Sequence, residues 1–253
     1  MTTTEYEIGC LVVNGMNGPI TDLDINQTTQ REGLPTTLQA METMFFMTTI
    51  IEGSSDEWSV SFKVNGTAVS GSTRCDIEEI DYYSQCSMII VLYDPSIGFS
   101  VIPPKSSACL HKSYDSDTTT AAAAATPVKQ SNWSGPVQCL IFNATGGPIS
   151  NLQFTHSILG DSQSPPVGSM DQNGTLLYTI TSANGFNSSG GPDEWSVSFV
   201  SGNVTLQRSN KQCNIEEEDF EANSCVIAAL YNQSTGFSII TPVSKPCLNN
   251  SYE

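Results

Sequence analysis

Two acidic-aromatic segments, Asp56-Glu57-Trp58 and Asp193-Glu194-Trp195, carry the side chains of this chain best suited to hold a ligand. A tryptophan face flanked by carboxylates can stack on a sugar or a zwitterionic headgroup while the carboxylates accept hydroxyl or cation contacts. Parity favours another role: Trp58, Val60 and Phe62 fall on one face of an alternating stretch, with Ser59 and Ser61 on the other, which is a core pattern. A second acidic set lies between cysteines. Asp76, Glu78, Glu79 and Asp81 lie between Cys75 and Cys86, and Glu216, Glu217, Glu218 and Asp219 between Cys213 and Cys225. A closed loop rich in carboxylates offers the several oxygen ligands that a hard cation such as Ca²⁺ takes. The glycine-punctuated pattern of an EF-hand loop is absent, and a solvated charged face is the simpler expectation.

Nucleophilic catalysis is hard to assemble here. A Ser-His-Asp or Cys-His site needs a histidine, and the chain has two, His111 and His156. Thiols held in disulfides are neither nucleophiles nor zinc ligands. A carboxylate pair for glycoside hydrolysis depends on spatial separation, which sequence does not set. The expectation is a protein that binds and does not catalyse.

The elements that position these residues are duplicated. Asp56-Glu57-Trp58-Ser59-Val60-Ser61-Phe62 recurs letter for letter at Asp193 to Phe199. Cys10-Leu11 recurs as Cys139-Leu140, Gly18-Pro19-Ile20 as Gly147-Pro148-Ile149, and Gly98-Phe99-Ser100 as Gly236-Phe237-Ser238. His156 corresponds to Gln27. The repeat predicts domains at 1–114 and 132–253, joined by a Thr, Ala and Pro-rich linker at 115–131. Short alternating stretches at Ile8 to Val13, Met44 to Ile51, Ser87 to Tyr93 and Phe99 to Ile102 are separated by Gly, Asn, Pro and Ser clusters. Such spacing predicts an all-β protein of two tandem homologous β-sandwiches. Met41 to Met47 is apolar on both faces and predicts a strand buried on both sides, with a membrane-touching segment as the alternative.

Eight cysteines, four per copy, predict two disulfides in each domain. Short-loop closure favours Cys75-Cys86 and Cys213-Cys225, leaving Cys10-Cys109 and Cys139-Cys247. Buried thiols at Cys10 and Cys139 are the alternative. Asn-x-Ser/Thr sequons stand at Asn26, Asn65, Asn132, Asn143, Asn173, Asn187, Asn203, Asn232 and Asn249. Random placement of 17 Asn among 58 Ser and Thr would give about four. The excess points to a secreted glycoprotein, although Met1 to Glu7 has no charged n-region or apolar h-region, so an added Met or an unconventional export route is implied.

A formal charge of −17 disfavours nucleic acid and anionic lipid as partners, since nine Lys and Arg form no basic stripe. No apolar run is long enough to span a bilayer. The charge is uneven: residues through Asp117 hold sixteen acids against five bases, and the remainder ten against four. The first copy also carries two of the nine sequons, so it is the better candidate for a protein or membrane contact.

The order Asn143-Ala144-Thr145-Gly146-Gly147-Pro148-Ile149, then His156, then Asp193-Glu194-Trp195-Ser196-Val197, then a hydrophobic strand ending near Pro242, resembles aegerolysin-like β-sandwich proteins. The likeness is one of layout and covers most of each copy. It implies a small acidic all-β protein that binds sphingolipid-containing membranes and can act with a pore-forming partner. The tandem arrangement and four cysteines per domain depart from that family, and no family binding residue transfers. The combined expectation is a secreted binder of a lipid headgroup or glycan in a defence or toxin-like role, its two domains adding avidity. The alternative is a structural or storage protein that self-associates through sandwich edges or disulfides.

Overall fold

The computed structural model describes residues 5–27, 35–51, 56–115, 137–158, 161–165, 168–180, 193–216, 218–219, 222 and 224–253. Two compact units divide the chain at Met1–Pro127 and Val128–Glu253. Nearly every regular element in both is a strand, as the alternating apolar pattern requires. Apart from Asp115, the expected linker lies outside the described residues. Asp115 belongs with the first unit, because its N–H donates to the Ser70 carbonyl at 2.6 Å. Glu253 N–H does the same to Gln207 at 2.8 Å in the second.

In the first unit β1 (Glu5–Asn14), β3 (Thr43–Ile51), β6 (Met88–Leu92), β7 (Phe99–Ile102) and β8 (Cys109–Lys112) form one sheet in the order β3-β1-β6-β7-β8. The facing sheet has β2 (Ile20–Gln27), β4 (Glu57–Val64) and β5 (Thr67–Arg74) in the order β2-β4-β5. A single helical turn, α1 (Glu79–Tyr83), lies between β5 and β6. The second unit repeats this plan. Its five-stranded sheet takes β13 (Thr175–Ile180), β9 (Val137–Asn143), β16 (Val226–Leu230), β17 (Phe237–Ile240) and β18 (Cys247–Asn250), in that order. The other sheet runs β11 (Asp161–Gln163), β10 (Ile149–Ile158), β14 (Glu194–Ser201) and β15 (Val204–Gln212), with β12 (Gly168–Met170) paired to β10.

Within each unit the core fills the space between its two sheets. Trp58, Val60 and Phe62 on β4 meet Cys10 and Val12 on β1 and Met88 and Ile90 on β6; Trp195, Val197 and Phe199 meet Cys139, Ile141 and Ala228 in the second unit. The shared heptapeptide thus supplies the inner face of a central strand, and its serines the outer face. Burying an aromatic side chain removes roughly 150–250 Å² from water, so each of these rings contributes several kcal/mol.

β1 pairs with β6 in parallel, Cys10 opposite Met88, and β9 pairs with β16 in parallel, Cys139 opposite Val226. All five residues of β6 and of β16 are buried, consistent with their unbroken apolar runs. Asn14 and Asn143 end the first strands, each fully buried with Nδ2 donating to three carbonyls. The acceptors are Gly18, Leu38 and Gln39 for Asn14, and Gly147, Met170 and Asp171 for Asn143. Gly98 and Gly236 have φ of 106° and 90°, and a Cβ there would overlap the carbonyl of Lys112 or Asn250, which explains the repeated Gly-Phe-Ser.

The cysteine pairing differs from the short-loop expectation. Cys75 is bonded to Cys109, with Cα atoms 5.8 Å apart, which excludes both Cys75-Cys86 and Cys10-Cys109. In the second unit Cys213 and Cys247 lie at disulfide distance, the counterpart of Cys75 and Cys109, which leaves neither Cys213-Cys225 nor Cys139-Cys247 formed. One close pair per unit replaces the two expected. Cys10, Cys86, Cys139 and Cys225 are buried and outside disulfides. The register explains the choice: β8 turns back beside β7 with Cys109 opposite Val101, and Cys75 Sγ lies 3.7 Å from the Val101 carbonyl oxygen.

β3 is also not buried on both sides. It is an edge strand whose Met44, Thr48 and Ile50 point inward while Phe45 is 39% exposed.

Candidate functional site

The Asp-Glu-Trp segments prove to be internal fixtures. Trp58 and Trp195 are fully buried, and their indole N–H groups donate to the carbonyls of Cys75 at 3.3 Å and Cys213 at 2.7 Å. Asp56 and Asp193 are buried beside them, each taking a backbone N–H on Oδ2, from Ile77 at 2.8 Å and from Ile215 at 2.7 Å. Both tie the segment after β5 or β15 to the start of the central strand. Burial holds the Asp56 carboxyl above its ordinary pKa, opposed by the Ile77 hydrogen bond. Glu57 is exposed and Glu194 half-exposed, turned to the opposite face from the tryptophans. The ligand pocket expected at Asp56, Glu57, Trp58, Asp193, Glu194 and Trp195 is therefore corrected at four of its residues, since the core covers Trp58, Trp195, Asp56 and Asp193 and leaves only Glu57 and Glu194 at the surface.

The acidic loops divide in the same way. Asp81 is fully buried, its carboxylate accepting the N–H of Lys105 at 2.7 Å, of Ser106 at 3.0 Å and of Glu78 at 3.0 Å, and the Ser106 hydroxyl at 2.5 Å. Asp219 accepts from Val243 and Ser244 N–H, from the Ser244 hydroxyl and from Glu216 N–H. With their lone pairs committed to these donors, Asp81 and Asp219 are anchors between two loops, not the cation ligands expected of them. Asp76, Glu78, Glu79, Glu216 and Glu218 are exposed, and Asp76 pairs with Arg74 Nε at 3.0 Å. Glu217 lies outside the described residues. Among the described residues no group of three or more His, Cys, Asp or Glu is placed to hold a metal ion.

The sequons are scattered. Asn143 is corrected as a glycan acceptor, because its amide is inside the fold with three carbonyls on its nitrogen. Asn65 and Asn203 are exposed at the β4–β5 and β14–β15 hairpin tips, and Asn249 is exposed on β18. Asn173 and Asn232 are half-buried, and Asn26 lies in β2. Asn132 and Asn187 fall outside the described residues.

An aromatic patch that the sequence reading passed over lies on α1 and the start of β1. Tyr6 and Tyr82 stack in parallel with ring centroids 4.6 Å apart, and Tyr83 meets Tyr6 edge-on at 6.1 Å. Hydrogen bonds with the Tyr6 hydroxyl and the Glu79 carboxylate push Tyr83 up to about 12. Burial and the charges of Asp56 and Asp81 push Tyr82 up as well. The Tyr82 hydroxyl donates to the Ile77 carbonyl at 3.2 Å, so the Asp56–Ile77 link and the patch share one support. Tyr83 is 67% exposed and Ile80 53%, an outward-facing pair beside Glu78 and Glu79.

In sequence the second copy has Gly135, Glu218, Phe220 and Glu221 where the first has Tyr6, Ile80, Tyr82 and Tyr83. The signal for the patch was therefore present as Tyr82-Tyr83 inside an acidic loop in one copy alone.

The chain matches no protein-family model and no curated protein sequence. Among the described residues no helix is long and apolar enough to cross a membrane, which says nothing of strands.

Proposed function

We propose that this chain is a secreted, non-enzymatic tandem β-sandwich that binds a lipid headgroup or glycan at a cell surface, through the Tyr6, Tyr82 and Tyr83 patch of its first domain. A defence or toxin-like role, as in the aegerolysin-like proteins it resembles in layout, belongs to the same proposal. One observation carries it: three tyrosines and Ile80 gather beside exposed glutamates on a surface that the otherwise homologous second copy does not reproduce. Tyrosine faces stack on sugar rings, and with neighbouring carboxylates they attract a quaternary ammonium, worth roughly 0.5–2 kcal/mol per contact. The net charge of −17 fits a neutral or cationic ligand group and opposes an anionic one.

The test is binding of the full chain to zwitterionic sphingolipid vesicles, to anionic vesicles and to a glycan array. Binding to the first or the last, lost in Tyr83→Ala, is the expected result. Binding to none, together with concentration-dependent polymers, would replace this reading with self-assembly.

A further inference from the structure

β3 ends its sheet, with β1 on one side of it. The pairing with β1 is unbroken, from Glu5 opposite Ile51 to Val13 opposite Thr43. Asn14 N–H donates to the Glu42 carbonyl at 3.0 Å, which fixes the phase of the ladder. Even-numbered residues of β3 therefore turn their N–H and C=O toward β1, and Thr43, Phe45 and Met47 turn theirs away from it. Among the described residues no other strand pairs with that edge.

Soluble proteins blunt such an edge with lysine, proline, a bulge or a very short strand. Thr43–Ile51 has none of these, since Thr-Met-Phe-Phe-Met-Thr-Thr-Ile-Ile carries no charge and no proline and its register does not shift. The outer row is apolar as well. The exposed Phe45 ring lies over Gly9, where a Cβ would come within 2.8 Å of its Cζ, so the bare backbone of β1 seats the ring. The second copy fills the corresponding place with a polar pair. Gln138 stands opposite Thr179 as Gly9 stands opposite Met47, and its Nε2 donates to Thr179 Oγ1 at 3.2 Å.

We propose that two copies of the chain join through this edge, β3 antiparallel to β3 about a twofold axis at Phe45. In that register Thr43 faces Met47 of the second copy and Phe45 faces its own equivalent, with about six backbone hydrogen bonds exchanged. On the inner side Met44 meets Phe46. Charge selects the occupant: a chain of −17 repels its copies over most of its surface, and a cationic partner needs acids to hold it. This uncharged segment supplies neither, and Glu42 beside it falls opposite Thr48 of the second copy. Five residues per copy are far fewer than the roughly 20–30 a side of a standard interface, so the dimer is weak and depends on concentration. Tyr6 stands opposite Ile50, outside the paired segment, which leaves both tyrosine patches open.

Sedimentation velocity of the full-length chain over a wide range of concentration, at low and at high salt, is the test. The expected result is an equilibrium of monomer and dimer that stops at the dimer and tightens with salt, because screening weakens the repulsion between two acidic copies. Phe45→Lys and Met47→Lys are each expected to weaken it by about tenfold or more. Met47→Lys leaves the ring over Gly9, and its thermal unfolding shows that the fold is kept. Leu177→Lys, on the corresponding edge strand β13, is expected to change nothing. A chain that is monomeric under every condition would overturn the proposal. So would polymers beyond the dimer, a dimer held by a disulfide, loss of the dimer in Leu177→Lys, or its full survival in Met47→Lys.

Discussion

His156 lies flat against Trp195, ring centroids 3.8 Å and planes 21° apart, with its Nε2 3.6 Å from Oδ1 of Asp193. The two rings are cross-strand neighbours on β10 and β14, the register that sets Gln27 opposite Trp58 in the first copy. Among the described residues neither nitrogen of His156 has a hydrogen-bond partner, and the ring is fully buried. Its role is therefore packing. His156→Gln, which copies the first domain, is expected to cost about 1 kcal/mol, and His156→Ala about 3 kcal/mol through the cavity it leaves. Denaturant titration followed by tryptophan fluorescence measures both, and a stabilised Ala variant would contradict the packing role.

Asp81 and Asp219 should be the most sensitive carboxylates for stability. In Asp81→Asn one oxygen becomes an NH₂ that faces a donor already present, whichever way the amide turns. The expected loss is about 3 kcal/mol, because hydrogen bonds to a charged acceptor are broken and a buried donor is left unpaired. The midpoint of urea unfolding should fall with the slope unchanged. Adding Ca²⁺ should not restore it, since these oxygens are occupied by N–H and O–H donors.

Asp56 gives a pH dependence of definite sign. Its folded pKa is raised, so between the ordinary aspartate value, about 4, and the folded value the native chain binds more protons than the unfolded one. The stabilisation from this group is complete below about pH 4 and is lost as pH rises through the folded pKa. Asp56→Asn keeps an acceptor for the Ile77 N–H and removes that titration. Relative to wild type, the variant should gain stability as pH rises from 4 to 7, and a constant difference across that range would refute the sign.

Binding and folding separate at the tyrosine patch. Tyr83→Ala removes a ring that is mostly in solvent, so stability should change by no more than about 0.5 kcal/mol. Vesicle or glycan binding should fall by about tenfold, the loss of one good aromatic contact. Tyr6→Ala should weaken binding similarly, with a larger stability cost because Tyr6 also stacks on Tyr82. Unchanged binding in both would remove the patch from the proposal.

Asn143 should carry no glycan when the chain is made by a secretory host, whereas Asn65 and Asn203 are open to modification. Asn143→Asp replaces a donor shared among three carbonyls with an acceptor, for an expected loss of about 3 kcal/mol. Glycopeptide mapping and thermal unfolding check the two halves, and Asn14→Asp should behave like Asn143→Asp.

The strands and the repeat were legible because period-two alternation and an identical heptapeptide are local signals. Trp58 shows this well, since its parity with Val60 and Phe62 already favoured the core over the ligand site for which it was a candidate. The disulfides were not legible by the same means. Chain proximity favours Cys75 with Cys86, but α1 and the Asp81 anchor close that loop without a bond, and the return of β8 brings Cys109 to Cys75. Edge position hid the exposure of Phe45, which depends on how many neighbours β3 has. The patch joins Tyr6 to Tyr82 across most of a domain, and nothing near either residue announces the other.

The parallel pairing of β1 with β6 has a consequence for synthesis on the ribosome. Cys10 and its partner Met88 are 78 residues apart, so at about 5–20 residues per second β1 is translated roughly 4–16 s before β6 exists. During that interval the apolar stretch Cys10 to Val13 has one permanent neighbour still unmade. By the time β16 appears, a second strand of the same pattern, β9, is competing for the same kind of edge. The characteristic error of such a nascent chain would be the exchange of first strands between the two repeats.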